Sequence, residues 1–312
     1  MSAPAFRATI MAALGHAPEA IEPGKLQRFA TRDRRGDSAG WCMLFDDLRG
    51  GVFGDWRTGR TETWTATDRR TMTHGERAAL AAQVAAATRE REAAQRRQWA
   101  ANERRITELW AECVPLVPGD PVTLYLKARG FGGLWPLPQC LRYHAALAYW
   151  HDGERIGTFP AMVAPLTAPD GRVLALHRTY LARDGRKAAV PTVRKLTAAA
   201  GPLAGACIRL FEPDRGRIGI AEGIETALGA WCTSSVPTVA AYSAGSLAAY
   251  QWPSTVQRLV IFADHDAAGA DAADKLRQRA RAAGLTVNLL KPTTPGTDWC
   301  DVWARYVAEV LS

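Results

Sequence analysis

The sequence predicts an α/β protein whose last hundred residues, 213–312, build a parallel sheet covered by helices. Short apolar runs recur at 217–221, 238–242, 258–263 and 286–290. Helical patterns separate them at 223–231, from Ser246, at 268–283 and at 299–310. Strand–helix alternation of this kind implies parallel strands joined by right-handed crossovers. Two of the apolar runs end in acid, Glu222 after the first and Asp264-His265-Asp266 after the third.

The earlier elements follow in chain order. Residues 1–72 read as a small, turn-rich β domain that opens with a helix at 6–14. Strand-like runs lie at 26–29, 40–45, 51–56 and 61–64, with Asp33, Gly36, Asp37 and Gly50-Gly51 as turn residues. Arg28, Arg32, Arg34, Arg35, Arg57 and Arg60 alternate with Phe29, Trp41, Trp56 and Trp64. That mixture suits single-stranded nucleic acid, where rings stack on bases and guanidinium groups meet phosphates. It equally suits the core of a small β domain; Trp56 and Arg57 are the nucleic-acid candidates. Residues 73–115 read as a long helical connector. Thr73 is its N-cap, Glu76 completes a capping box, and small alanines and Arg/Glu pairs fill the helix. Pro115, Pro118 and Gly119-Asp120-Pro121 end it. Residues 116–212 form a mixed α/β segment. A helix at 121–128 stops at Gly130, and strands at 158–166 and 172–181 flank the turn Pro169-Asp170-Gly171. Lys187, Arg194 and Lys195 occupy a basic loop.

Composition narrows the function classes. The chain of 312 residues is 47% hydrophobic and 22% charged, as globular proteins are. A net charge of +8 and a pI near 9.4 point to a polyanionic partner. The six cysteines form no CxxC and no zinc-ribbon spacing, so free thiols in a reducing cytoplasm are expected and zinc is not. No secretory signal and no run near the roughly 18 apolar residues of a membrane span occurs. A G-x-x-x-x-G-K-[ST] loop is missing, which excludes an ATP-driven motor within the sequence.

The acids carry the chemistry. A parallel sheet gathers the residues that follow its strands at one carboxyl edge. Asp264 and Asp266 would repel each other there unless a cation lay between them. Magnesium favours several oxygen ligands and retains waters or substrate phosphates. Glu222 alone could be an ordinary helix N-terminal acid. Asp298 in Gly296-Thr297-Asp298 is a further ligand candidate, and Asp301 fits a helix cap. His265 falls on the opposite side of the strand period and reads as packing.

These residues resemble the Toprim domain, shared by bacterial primases, topoisomerases and some nucleases. Glu222-Gly223 and Asp264-His265-Asp266 with Gly269 match its two strand-end motifs. The run Asp264-His265-Asp266-Ala267-Ala268-Gly269-Ala270-Asp271-Ala272-Ala273 is especially similar to the DxDxAGxxAA of the primase branch. Upstream, Tyr125-Leu126-Lys127-Ala128-Arg129-Gly130 resembles the start of the primase core, and Arg194-Lys195-Leu196 its basic nucleotide-holding run. The stretch from Gly51 to Gly59 is similar to the start of primase-like proteins of plasmids, phages and integrative elements.

The resemblance spans roughly 120–305 and implies a Toprim-type parallel sheet after a primase N-lobe. It implies a DNA primase-like nucleotidyltransferase making short RNA primers on single-stranded DNA. Mg²⁺, or Mn²⁺, would sit on Asp264, Asp266 and Asp298, with Glu222 either a further metal ligand or the group that accepts the hydroxyl proton. Arg194, Lys195, Lys127 and Arg129 would meet nucleotide or template phosphate. Nucleoside triphosphates and a separate replicative helicase are the further partners. The sequence departs from the primase pattern twice. Thr226 stands where the helix-side acid belongs, with Glu225 the nearest acid, and the zinc ribbon is missing. A Toprim nuclease and a non-catalytic single-strand-binding accessory of replication or conjugation stay open beside priming. A topoisomerase does not, for lack of a further large domain bearing its tyrosine.

Overall fold

The computed structural model describes residues 2–33, 37–56 and 58–310. The chain divides into two compact units. One comprises residues up to Gln98 with Trp150–Arg155, the other Trp99–Tyr149 with the chain from Ile156 onward.

In the first unit α1 (Ser2–Leu14) precedes an antiparallel meander of β1 (Gln27–Phe29), β2 (Gly40–Leu44), β3 (Gly50–Asp55) and β4 (Arg60–Thr65). Strand alternation sends Cys42, Leu44 and Phe53 to one face, where Phe6 and Ile10 of α1 cover them. Trp41, Met43, Phe45 and Val52 go to the other, against Leu80, Val84 and Ala87. Gly51 lets α1 settle on the sheet, since a Cβ there would meet the Phe6 ring at 2.8 Å. The long helix α2 (His74–Glu112) supplies the second cover. It starts with the expected capping box: Glu76 N–H donates to Thr73 Oγ1 at 3.2 Å, and Thr73 N–H to Glu76 Oε2 at 2.8 Å.

The aromatics of this unit are largely core. Trp41 is 2% exposed, Phe29 is buried and Trp64 packs on the α1 face. Trp56 is half-buried, with the guanidinium groups of Arg28 and Arg91 at 5.9 and 5.4 Å from its ring. Arg91 also lies 4.9 Å from the Trp41 ring. Of the four aromatics in the alternating run, Trp56 and Trp64 therefore keep some accessible surface. Arg57, like Arg34 and Arg35, lies outside the described residues.

The second unit begins with β5 (Val114–Pro115) and α3 (Pro121–Leu126). Asp120 caps α3, accepting from Thr123 N–H at 2.7 Å. A wide turn, Lys127–Phe131, follows and bends at Gly130, whose φ is 90°. Then come β6 (Arg142–His151), β7 (Glu154–Thr167), β8 (Val173–Tyr180) and β9 (Arg194–Leu196), giving a sheet ordered β5-β6-β7-β8-β9. The expected hairpin is β7 and β8. Three strands were not foreseen, β5, β6 and β9. The predicted basic loop ends as an edge strand, because β8 offers it a partner: Thr179 faces Arg194 and His177 faces Leu196.

The last hundred residues alternate as expected: β10 (Arg217–Ala221), α4 (Ile224–Ser234), β11 (Thr238–Ala240), α5 (Ala244–Ala249), β12 (Arg258–Phe262), α6 (Ala267–Ala282), β13 (Thr286–Leu290) and α7 (Trp299–Val310). The sheet order is β11-β10-β12-β13, parallel throughout. Ile218, Ile220, Leu259 and Ile261 pack with Leu247 of α5 and with Ala273 and Leu276 of α6. Ala221, Val260 and Phe262 face α4 and Cys300 of α7 on the other side. That second face is shared. Met162, Ala164, Leu166 and Ala175 of the antiparallel sheet belong to the same core. The chain at 206–210 ties the two sheets together, pairing Cys207 with Thr167 and Ile208 with Ala240 through reciprocal backbone hydrogen bonds.

Candidate active site

Strands β10 and β12 are neighbours, with Ala221 opposite Phe262. Glu222 and Asp264 therefore emerge at one carboxyl edge, each just before a helix. Asp266 caps α6, accepting from Gly269 N–H at 2.7 Å. Gly269 allows a close approach there, since a Cβ would lie 3.1 Å from the Asp264 carbonyl oxygen. His265 acts through its backbone. Its N–H donates to Thr297 O at 3.1 Å, and its carbonyl accepts from Gly296 N–H at 2.9 Å. These two bonds hold the loop that carries Asp298 beside the DxD. Asp298 and Asp301 then cap α7 reciprocally: Asp301 N–H donates to Asp298 Oδ1 at 2.9 Å, and Asp298 N–H to Asp301 Oδ2 at 3.2 Å.

The acids feel one another strongly. Burial pushes the Asp264 carboxyl up, and Asp298, Glu222, Asp266 and Asp301 add to it, to about 7. Asp264 Oδ1 is buried without a hydrogen-bond partner. Burial and then Asp266 raise Glu222, while the Ala244 backbone amide and Arg194 oppose them. An unpartnered buried oxygen inside a cluster of like charges suits a cation. As the side chains stand, no three acidic, His or Cys groups among the described residues converge tightly enough to hold an ion. Asp266 and Asp298 are instead turned to their helix caps.

The antiparallel sheet meets this edge through a buried carboxylate. Glu225, in the first turn of α4, accepts from the Tyr125 hydroxyl at 2.6 Å and pairs with Arg194 Nη2 at 2.9 Å. Burial alone would raise Glu225, but Arg194 and Tyr125 outweigh it and hold the carboxyl below its ordinary value. Burial and Glu225 together push the Tyr125 phenol up. Arg129 is half-buried; burial would lower it, but Cys300, Tyr125, Glu225 and Asp298 raise it. The turn bearing it is locked to α7, where Trp303 Nε1 donates to Gly130 O at 2.9 Å. His177 is buried nearby, and burial lowers it to about 4.

Arg194 and Lys195 contact different groups. They alternate on β9 and face opposite sides, Arg194 toward Glu225 and Lys195 with Nζ 4.4 Å from the Tyr149 ring centroid. Lys127 is exposed on the wide turn.

Residues 217–309 match the family profile described as the Toprim domain. The chain carries a Toprim domain. Residues 100–210 match a domain of unknown function, DUF7146. No curated protein matches the chain. Among solved structures, the zinc-binding and RNA polymerase domains of the Aquifex aeolicus primase are similar at 14% identity and TM-score 0.42, over 99% of this chain and 83% of that one. The E. coli primase catalytic core is similar at 15% identity and TM-score 0.37, over 53% and 55%. A primase catalytic domain bound to single-stranded DNA is similar at 16% identity and TM-score 0.38, over 68% and 70%. The chain spans about half the length of other primase structures it matches, 48% of one catalytic core and 51% of a Pseudomonas aeruginosa primase domain.

Within the Toprim domain, the strand-end acids lie where the sequence placed them. The Glu225 cluster was missed as a unit. Its members are 31 and 100 residues apart along the chain, so no local pattern joins them. The signal was the displaced acid itself, since a glutamate on the buried side of a helix first turn needs a cationic partner. No helix among the described residues is long and apolar enough to cross a membrane.

Proposed function

We propose that the Toprim edge performs metal-dependent nucleotidyl transfer, joining ribonucleotides into short primers on single-stranded DNA. The observation that carries this is the unpartnered, buried Asp264 oxygen among the carboxylates of Glu222, Asp266 and Asp298. Those four residues would hold Mg²⁺ or Mn²⁺. A divalent ion there supplies Lewis-acid polarisation of a phosphoryl oxygen and neutralises developing charge. Glu222 accepts the proton of the attacking hydroxyl. Its raised affinity for a proton brings it nearer the working pH, as a general base requires. Arg194 and Arg129 bring positive charge beside the acids, toward substrate phosphate. The basic chain, at +8, binds the template strand. A separate helicase opens the duplex.

The test is incubation of the protein with circular single-stranded DNA, Mg²⁺ or Mn²⁺ and labelled ribonucleotides. New oligomers are expected, and Asp264→Asn or Asp266→Asn abolishes them. Cut circles would make the domain a nuclease, and a mobility shift alone would make it a binding accessory.

A further inference from the structure

We infer that Glu225 is a positioning residue, a buried carboxylate that anchors Arg194 so that its guanidinium meets the polyphosphate of a nucleotide beside Glu222. The inference rests on the nucleotidyl-transfer reading of the same edge. Glu225 has no route to solvent: its side chain is 4% exposed, against 44% for Arg194. A carboxylate so buried persists only when paired and hydrogen-bonded. Its Oε1 accepts from both Arg194 Nη2 and the Tyr125 hydroxyl, and both partners come from outside the Toprim domain. One helix acid thus fixes the edge strand β9 and the helix α3 against α4.

The consequence falls on Arg194. A guanidinium has five donors in a rigid fork. One nitrogen is tied inward to Glu225, while the outer part of the side chain remains accessible. Its anchor Glu225 stands in the first turn of α4, three residues after Glu222, so that accessible part lies on the side of the β10 strand end. Lys195 faces the opposite side of β9, so Arg194 alone supplies β9's charge here. An arginine held this way keeps a fixed direction and loses little freedom when phosphate binds. Without Glu225 the long side chain is released from its fixed direction. Glu225 itself is turned inward and ligates nothing.

The experiment uses the full chain, a non-hydrolysable ribonucleoside triphosphate analogue and Mg²⁺, with binding read by calorimetry. Melting temperature and single-strand affinity are measured alongside. Glu225→Gln should weaken the analogue about tenfold, the loss of one charge-assisted anchor. It should raise KM more than it lowers kcat and leave DNA affinity within about twofold. Added to Arg194→Ala, it should cause no further loss of analogue binding, because it acts through that arginine. Tyr125→Phe, which removes only one donor, should weaken the analogue by less and serves if the glutamine variant does not fold. Unchanged binding in Glu225→Gln and Tyr125→Phe, or multiplied losses in the double variant, would overturn the inference while wild-type binding keeps the active-site reading. A wild type that binds no triphosphate and makes no primer removes both.

Discussion

Asp264→Asn should stabilise the metal-free protein, and the size of the gain should depend on pH. The Asp264 carboxyl rises from an ordinary 3.8 to about 7 in the folded chain, through burial and then four neighbouring acids. Between those values the folded state binds the proton that the unfolded state has released, so stability falls as pH rises. A shift of about 3 units corresponds to a ceiling of about 4 kcal/mol. Part of the side chain meets solvent, and screening reduces that to about 2 kcal/mol. Asparagine has the same shape and carries no charge. It should match wild type near pH 4 and exceed it by about 2 kcal/mol at pH 8, a rise of roughly 5 °C in midpoint. Thermal melts in EDTA from pH 4 to 8 measure this, and the difference between the two proteins cancels every other titrating group. Adding Mg²⁺ should then raise the wild-type midpoint and leave the variant's much less changed, since a ligand stabilises only the state that binds it. A variant less stable than wild type at pH 8 in EDTA, or a difference that ignores pH, would refute the like-charge account of this edge.

Three further outcomes follow from other parts of the fold. His177, held to about 4 from an ordinary 6.5 by burial, must charge on unfolding, so up to about 3 kcal/mol of stability should disappear as pH falls from 6.5 to 4; His177→Gln should flatten that limb in urea titrations, and an unchanged limb would place the acid sensitivity elsewhere. Gly229→Ala would drive a Cβ to 2.3 Å from the Trp299 carbonyl oxygen, where α4 crosses α7, and should cost about 3 kcal/mol by chemical denaturation. Single-strand affinity should fall with salt at a slope of about −0.7 per phosphate contacted, measured by fluorescence anisotropy; affinity indifferent to salt would deny the basic surface its role.

The Toprim sheet was legible because a parallel strand covered on both faces must be apolar throughout. The runs Ile218-Gly219-Ile220-Ala221 and Leu259-Val260-Ile261-Phe262 have little other use, whereas the edge strand β13 keeps Thr286, Asn288 and Leu290 exposed. Its acids were legible for a related reason, as charges immediately after such strands have only the sheet edge to occupy. The antiparallel sheet was harder. The strand Arg142–His151 mixes alanine, tyrosine and histidine without a clean alternation, and β5 is two residues long. Both are defined by partners that lie far away in sequence. In the first unit, alternating arginine and tryptophan fitted a base-stacking surface and a core equally well. Burial of Trp41 beneath α2 puts that ring in the core, and only the packing of a helix that starts 33 residues later could supply that information.

The charges of the two sheets bear on one another. An unneutralised acid cluster invites collapse of the nearest cation onto it, and Arg194 is near enough to stabilise Glu222. A free arginine there would be drawn to Glu222 and compete with any divalent ion. Glu225 prevents this by offering Arg194 a better partner: a fully desolvated carboxylate, already hydrogen-bonded by Tyr125 and aligned with the positive end of α4. The strand-end acids are left short of positive charge in the folded chain itself. The raised Asp264 carboxyl is the measure of that shortage, and on the proposed reading a divalent cation would meet it through its charge and its preference for oxygen.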